Sequence, residues 1–237
     1  RAKTNGVDHI VVTGTSVEES EQALALCQRY PQMLSCTAGV HPHDADNVRD
    51  DFIASLRCLA QNEKVRAIGE CGLDFNRNFS TAINQKRVFE QQLALAVELQ
   101  LPVFLHQRDA FDDWQLILAK YIEQLPCAVS HCFTGDRLEL QTCIDMGLYI
   151  GITGWVCDER RGKELYDIVE LIPLDKIMIE TDAPYLLPRT IRPKPKSNRN
   201  EPGYLRYVLE KVANAYNLPK ESVARHCLAN SQKFFFD

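Results

Sequence analysis

The sequence predicts an α/β fold, an eight-stranded (β/α) TIM barrel whose first strand is absent from the given chain. Three observations point there. Short apolar runs alternate with amphipathic stretches from end to end. The apolar runs are nearly continuous rather than alternating, as expected of parallel strands buried on both faces. Several of them end on Glu, His or Asp, and a barrel gathers such strand-end residues at one mouth.

Taken in order, residues 1–6 read as the tail of a helix that would follow an earlier strand, with Gly6 marking the return. Strands are predicted over 7–13, 34–40, 65–70, 103–106, 128–131, 149–153 and 176–182. Crossover helices are predicted between them, for example over 81–99 and 111–125. Ser16 followed by Glu19, and the Ser80-Thr81 pair, are helix-start signals. Gly147 and Leu101-Pro102 mark further helix-to-strand returns. Seven strands can be counted, and one more would complete the barrel. A doubly wound open sheet is the alternative, but no Gly-x-Gly-x-x-Gly turn is present. Past Asp182, the Pro-rich stretch 184–202 is expected to be a long loop across the barrel mouth. Helices over 204–216 and 219–234 then close the structure.

The 237 residues fit one domain, 1–237, with no Ser/Gly-rich or Pro-rich linker dividing it. No apolar run reaches the length of a membrane span, so a soluble protein without a membrane partner is expected; a cytoplasmic monomer is expected besides. Arg1 is preceded by no initiator Met, and no signal-type stretch follows, so a preceding segment is expected to be missing. The nine cysteines form no Cys-x-x-Cys pair, and their odd number suits reduced thiols packed as small hydrophobes. A net charge of −5 argues against a surface coated for nucleic acid. Yet Arg189, Arg192, Lys194, Lys196 and Arg199 concentrate five positive charges with no acid before Glu201.

The residues with chemistry sit at the strand ends. Glu70 ends the third run, and its carboxylate can offer one oxygen to each of two cations. His106 and His131 end the fourth and fifth; two imidazoles at equivalent strand ends, flanking a strand-end Glu, suit a metal site. Asp182 can ligate a cation, accept a proton from water, or both. Glu180, on the same strand face, is expected either to support the site or to form a structural salt bridge. Arg108 either forks onto a phosphate or pairs with Asp109 or Asp112. His41, presented by the rigid His41-Pro42-His43 exit, is a candidate for phosphate contact or proton transfer. His43 is expected to face solvent, and Asp74 to be a turn or capping acid. His9 and His226 are assigned no role. Carboxylates mixed with imidazoles suit Mg²⁺, Mn²⁺ or Zn²⁺. A serine-hydrolase elbow and a P-loop are both absent from the sequence.

Five blocks carry a family resemblance: Ala38-Gly39-Val40-His41-Pro42-His43, Ile68-Gly69-Glu70-Cys71-Gly72-Leu73-Asp74, Pro102-Val103-Phe104-Leu105-His106, His131-Cys132-Phe133-Thr134-Gly135 and Ile179-Glu180-Thr181-Asp182-Ala183-Pro184-Tyr185. Spread over nearly the whole chain, they resemble the signature blocks of TatD-family metal-dependent deoxyribonucleases. The resemblance implies a barrel of the amidohydrolase type. It also implies a cytoplasmic Mg²⁺-dependent 3′-to-5′ exonuclease acting on single-stranded DNA, with RNA as a further substrate, in DNA repair or nucleic-acid turnover. By matching motif it makes Glu70, His106 and His131 metal ligands and Asp182 a ligand or base, with His41 in the site. One departure is visible: many members begin with a His-x-His strand for a second cation, so one or two cations remain open.

Mechanistically, the sequence suggests phosphodiester hydrolysis in which Glu70 and Asp182 serve the cation and attacking water. His41 and Arg108 would steady the scissile phosphate, and Arg189, Arg192 and Lys194 would attract the strand's backbone. The loop could equally be a solvated basic segment. A barrel hydrolase acting on a small amide, ester or phosphoester is the rival, because fold alone does not choose the substrate. A binding protein with a decayed site is the third class.

Overall fold

The computed structural model describes every residue, Arg1–Asp237. The chain forms two compact units, residues 9–130 and residues 1–8 with 131–237, and each is described by itself.

In residues 9–130, five strands run parallel in chain order: β1 (Ile10–Val12), β2 (Leu34–Ala38), β3 (Val65–Asp74), β4 (Val103–Arg108) and β5 (Ala128–Ser130). Helices α1 (Val17–Arg29), α2 (Phe52–Ala60), α3 (Ala82–Leu99) and α4 (Phe111–Leu118) make the crossovers. All five residues of β2 are buried, and nine of the ten in β3. That is why these runs lack alternation. The Ser16 side chain caps α1, accepting from the Glu19 backbone N–H at 3.1 Å, as its spacing predicts.

Two expectations are corrected here. The helix predicted over 111–125 ends at Leu118, and a separate 3-10 turn covers Ile122–Gln124. Pro126 keeps Leu125 extended, because it disfavours helical backbone at the preceding residue, but it does not account for the break after Leu118. Strands β3 and β4 also run four and two residues past the ligand-type residues expected to end them. Glu70 and His106 therefore lie inside strands. Between Gly69 and Cys71 the register shifts, because Gly69 pairs with Phe104 and Cys71 with Leu105. Glu70 is thus the extra residue of a bulge. Its N–H donates instead to the Gly14 carbonyl at 2.8 Å, and a bulge of this kind re-aims a side chain.

In the other unit, β6 (Tyr149–Ile152) and β7 (Ile177–Ile179) pair in parallel. They are accompanied by α5 (Arg137–Asp145), α6 (Lys163–Tyr166), α7 (Leu205–Tyr216) and α8 (Lys220–Phe236). Gly147 takes φ 77° at the turn into β6, the left-handed conformation its position predicts. The Asp136 carboxylate caps α5 through the backbone N–H groups of Leu138 and Glu139. The α8 side chain of Asn230 donates to the Leu174 and Ile177 carbonyls at 3.0 and 2.7 Å, tying that helix to the start of β7. Residues 184–201 form no helix or strand. No helix is long and apolar enough to cross a membrane.

Candidate metal centre

The bulge at Glu70 brings three predicted residues together. His106 Nδ1 lies 2.8 Å from Glu70 Oε1, and His41 Nε2 lies 3.5 Å from the same oxygen. Ligand atoms of His41, Glu70 and His106 all fall within 4.8 Å of one another, a group able to hold a metal ion. One carboxylate oxygen and two imidazole nitrogens form a donor set suited to a borderline or hard cation. His41, expected to serve substrate or proton transfer, therefore lies beside the two expected ligands.

The protonation pattern of His41 can be read from its neighbours. Its Nδ1 accepts from the His43 backbone N–H at 3.1 Å. A backbone N–H can only donate, so a neutral ring carries its proton at Nε2, toward Glu70. Burial pushes the His41 pKa down, Glu70 pulls it up, and His106 and His43 lower it again; the result is about 3. His41 is thus a neutral imidazole whose accessible nitrogen is a donor.

Two expectations for neighbours change. His43 does not simply face solvent: its Nε2 lies 2.7 Å from Asp74 Oδ2. Asp74 is the predicted turn acid, its Oδ1 accepting from the Asn76 and Arg77 N–H groups at 2.9 and 2.8 Å. It does more, however, since Oδ2 also stands 3.5 Å from His106 Nε2. Burial raises the Asp74 pKa, but hydrogen bonds from His106, the Arg77 backbone and His43 outweigh it and hold it well below the carboxylate range. His106 therefore stands between two carboxylates.

Sequence reasoning missed the two side chains that fix this cluster. Gln85 and Gln92 are fully buried on α3. Gln92 accepts from the Val40 N–H at 2.7 Å and donates to the Val40 carbonyl at 3.0 Å, clasping the residue before His41. Gln85 likewise accepts from the Asp74 N–H and donates to its carbonyl, at 2.8 and 3.0 Å. Their signal was present: both fall on the buried stripe of Gln85, Val88, Phe89, Gln92, Leu93 and Ala96. An amide on an apolar helix face must find partners.

The other predicted residues group in the second unit. His131 Nδ1 lies 2.8 Å from Glu180 Oε2, while its Nε2 lies 3.7 Å from Asp182 Oδ1. A carboxylate accepts, so Nδ1 carries the proton and Nε2 presents a lone pair, the tautomer a metal-binding histidine needs. The other Glu180 oxygen accepts from the Cys132 N–H at 2.6 Å. Gly151 leaves room beside it, because a Cβ there would displace the Glu180 carboxylate. Cys132 and Asp182 both adopt left-handed backbone, φ 47° and 50°, uncommon for side-chain-bearing residues and frequent at functional sites. Asn200, buried, donates to the carbonyls of Thr181 and Leu186 at 2.6 and 3.3 Å, anchoring the basic loop beside Asp182.

Of the substrate candidates, Arg108 Nε lies 3.9 Å from Asp109 Oδ1 with both side chains exposed, a weak pair. Arg189 Nε lies 3.0 Å from Asp158 Oδ2. Arg192 donates to the carbonyls of Arg189 and Ile191, and Lys194 is exposed.

Parallel strands joined by crossover helices, with carboxylate–imidazole clusters on and just beyond them, define the class: an α/β metallohydrolase fold. The comparisons give the family. Residues 1–236 match the TatD related DNase family, and the chain belongs to it. It is 52% identical over 235 residues to a Citrobacter rodentium protein named 3'-5' ssDNA/RNA exonuclease TatD, covering 99% of this chain and 89% of that one. A Salmonella typhimurium protein of the same name is 54% identical over 213 residues, 90% of this chain and 82% of its own. Among solved structures, a TatD-family hydrolase from Entamoeba histolytica matches with TM-score 0.90 at 25% identity, covering 99% of this chain and 87% of its own. A TatD homologue from Escherichia coli matches with TM-score 0.88 at 28% identity, over 99% and 88%. The α/β hydrolase-barrel class expected from the sequence is thus shown.

Proposed function

We propose that this protein is a metal-dependent 3′-to-5′ exonuclease acting on single-stranded DNA, with RNA as a further substrate. Its carrying observation is the bulge that turns Glu70 onto His41 and His106 in a chain of the TatD family. Relatives above 50% identity bear an exonuclease name, which favours this substrate over a small amide or ester.

On this reading Glu70 and His106 are candidate ligands of residues 9–130, and His131 and Asp182 are candidate ligands of the other unit by itself, for one or two cations in all; Mg²⁺ is the proposed ion, with Mn²⁺ and Zn²⁺ as alternatives. A divalent ion bound there would lower the pKa of water and offset charge on the phosphoryl oxygens. The chain's own groups do the rest. His41, held neutral with its proton at Nε2, donates to a phosphate oxygen. Asp182 orients the attacking water and takes its proton, and Glu180 keeps His131 in the required tautomer. Arg108, Arg189, Arg192 and Lys194 draw in the backbone by charge. A cytoplasmic monomer working in DNA repair or nucleic-acid turnover completes the proposal.

The test is incubation of purified protein with end-labelled single-stranded oligonucleotide, with and without Mg²⁺, beside a small chromogenic ester. Metal-dependent shortening from the 3′ end is expected. An intact oligonucleotide with ester cleavage would replace the nuclease with the rival substrate class.

A further inference from the structure

Beyond β6 lies a second charged cluster, of which the proposed chemistry uses Arg189 alone. Asp158 follows the 3-10 helix Gly154–Cys157 and is 4% exposed. Its Oδ1 closes a turn, accepting from the N–H groups of Arg160 and Arg161 at 3.0 and 3.2 Å. Its Oδ2 takes two guanidinium groups at once: Arg161 Nε and Arg189 Nε each lie 3.0 Å away. The Arg161 guanidinium also lies 4.5 Å over the Trp155 ring, and the indole N–H donates to the Arg161 carbonyl at 3.2 Å. Burial pushes the Asp158 carboxyl up, but the Arg161 and Arg160 N–H groups and the Arg161 and Arg189 guanidinium groups outweigh it, bringing it to about 2.

Two features exceed what a structural ion pair requires. One buried carboxylate is neutralised by one arginine, so the second leaves a surplus positive charge at the cluster. Both contacts use Nε, and the two side chains remain 56% and 53% exposed. Each guanidinium thus keeps its terminal nitrogens for another acceptor. An arginine fork matches a phosphate in shape and charge. Holding two long side chains in advance lowers the entropy lost when a ligand is bound. Because both Nε atoms meet the same oxygen, they lie no further apart than twice 3.0 Å. In sequence, Arg160 adjoins Arg161, and Arg192, Lys194 and Lys196 follow Arg189, while Glu159 lies beside Asp158.

We propose that Asp158 is a positioning residue that sets Arg161 and Arg189 as a paired clamp for neighbouring phosphates of one nucleic-acid strand. This deepens the proposed function and rests on it. The sign of one substitution separates positioning from plain charge. Asp158→Asn keeps the Oδ1 turn but presents an NH₂ group to the Arg161 Nε–H donor and the Arg189 guanidinium. It also removes a negative charge, which by charge count alone would tighten binding to DNA.

The experiment measures anisotropy of a labelled oligo-dT strand against salt, without added divalent cation, for the parent, Asp158→Asn and the double variant Arg161→Ala/Arg189→Ala. The double variant should reduce the slope of log affinity on log salt by about 1.4, about 0.7 for each phosphate contact. Asp158→Asn should bind more weakly than the parent despite its charge. Equal or tighter binding by Asp158→Asn, or a parental slope in the double variant, overturns the clamp. Should Asp158→Asn fail to fold, the exposed arginine variants decide alone. A parent that binds and shortens the strand while the double variant keeps its slope sinks the clamp and spares the nuclease. A parent that neither binds nor cleaves a strand sinks both.

Discussion

Glu70 and His106 are held differently from His131 and Asp182. The first pair lies inside strands of ten and six residues, where a register shift turns Glu70 out of the ladder and buried glutamines grip the backbone at Val40 and Asp74. His131 is the residue after the three-residue β5, and Asp182 lies three past the three-residue β7. There, left-handed residues and the Glu180 carboxylate do the orienting. Long strands fix a side chain through ladder hydrogen bonds; short ones leave the work to side-chain acceptors. On the proposed function, damage to the first region should appear as lost metal and lost fold stability, and damage to the second as lost orientation.

The largest effect is expected from Glu70→Ala. Its carboxylate meets both His41 and His106, so loss of activity should exceed about a hundredfold, with metal stoichiometry reduced in elemental analysis. Retention of both would break the comparison at its centre. Glu180→Gln should cost less, about 10–100-fold in activity or metal affinity, because the ligand stays and only its tautomer and aim are disturbed. Parental kinetics from that variant would show that His131 is not oriented from Glu180.

Gln92→Leu tests the ladder side. It leaves the buried N–H and carbonyl of Val40 without partners, at a cost of about 2–4 kcal/mol in denaturant unfolding. A change below about 0.5 kcal/mol would mean that β2 holds His41 unaided. The smallest effect is the pH dependence of Asp158. Its folded pKa of about 2 is below its ordinary value of 3.8, so its contribution is fully present above about pH 4. That contribution is lost as pH falls from there through about 2. Thermal midpoints of the parent and Asp158→Asn should therefore converge over that acid window; a gap that stays constant would remove the ionised carboxylate from the stability of that turn.

Much of the fold was legible because parallel strands and crossover helices leave local marks. Apolar runs of five or so residues, Ser16 with Glu19, and Gly147 before β6 each state a backbone preference that the structure keeps. Pro126 is a local mark of the same kind, since it keeps Leu125 out of helical backbone. The candidate site was legible as a set of residue types closing apolar runs, although Glu70 and His106 lie inside their strands. Glu70, His106 and His41 were identifiable this way, since a short apolar run that stops on a carboxylate or imidazole has little reason to do so in a packed core.

The alternation of elements, the family blocks and the candidate residues Glu70, His106, His131 and Asp182 were therefore legible in the sequence alone. Tertiary structure decided how those residues are presented: the bulge that frees Glu70, the proton position on His41, the tautomer of His131, the glutamine clasps and the arginine pair on Asp158. The physical reason is range. Backbone preference and burial patterning act within one turn or one strand, whereas a bulge depends on the register of the partner strand. A hydrogen-bond donor's direction, likewise, depends on an acceptor supplied from dozens of residues away.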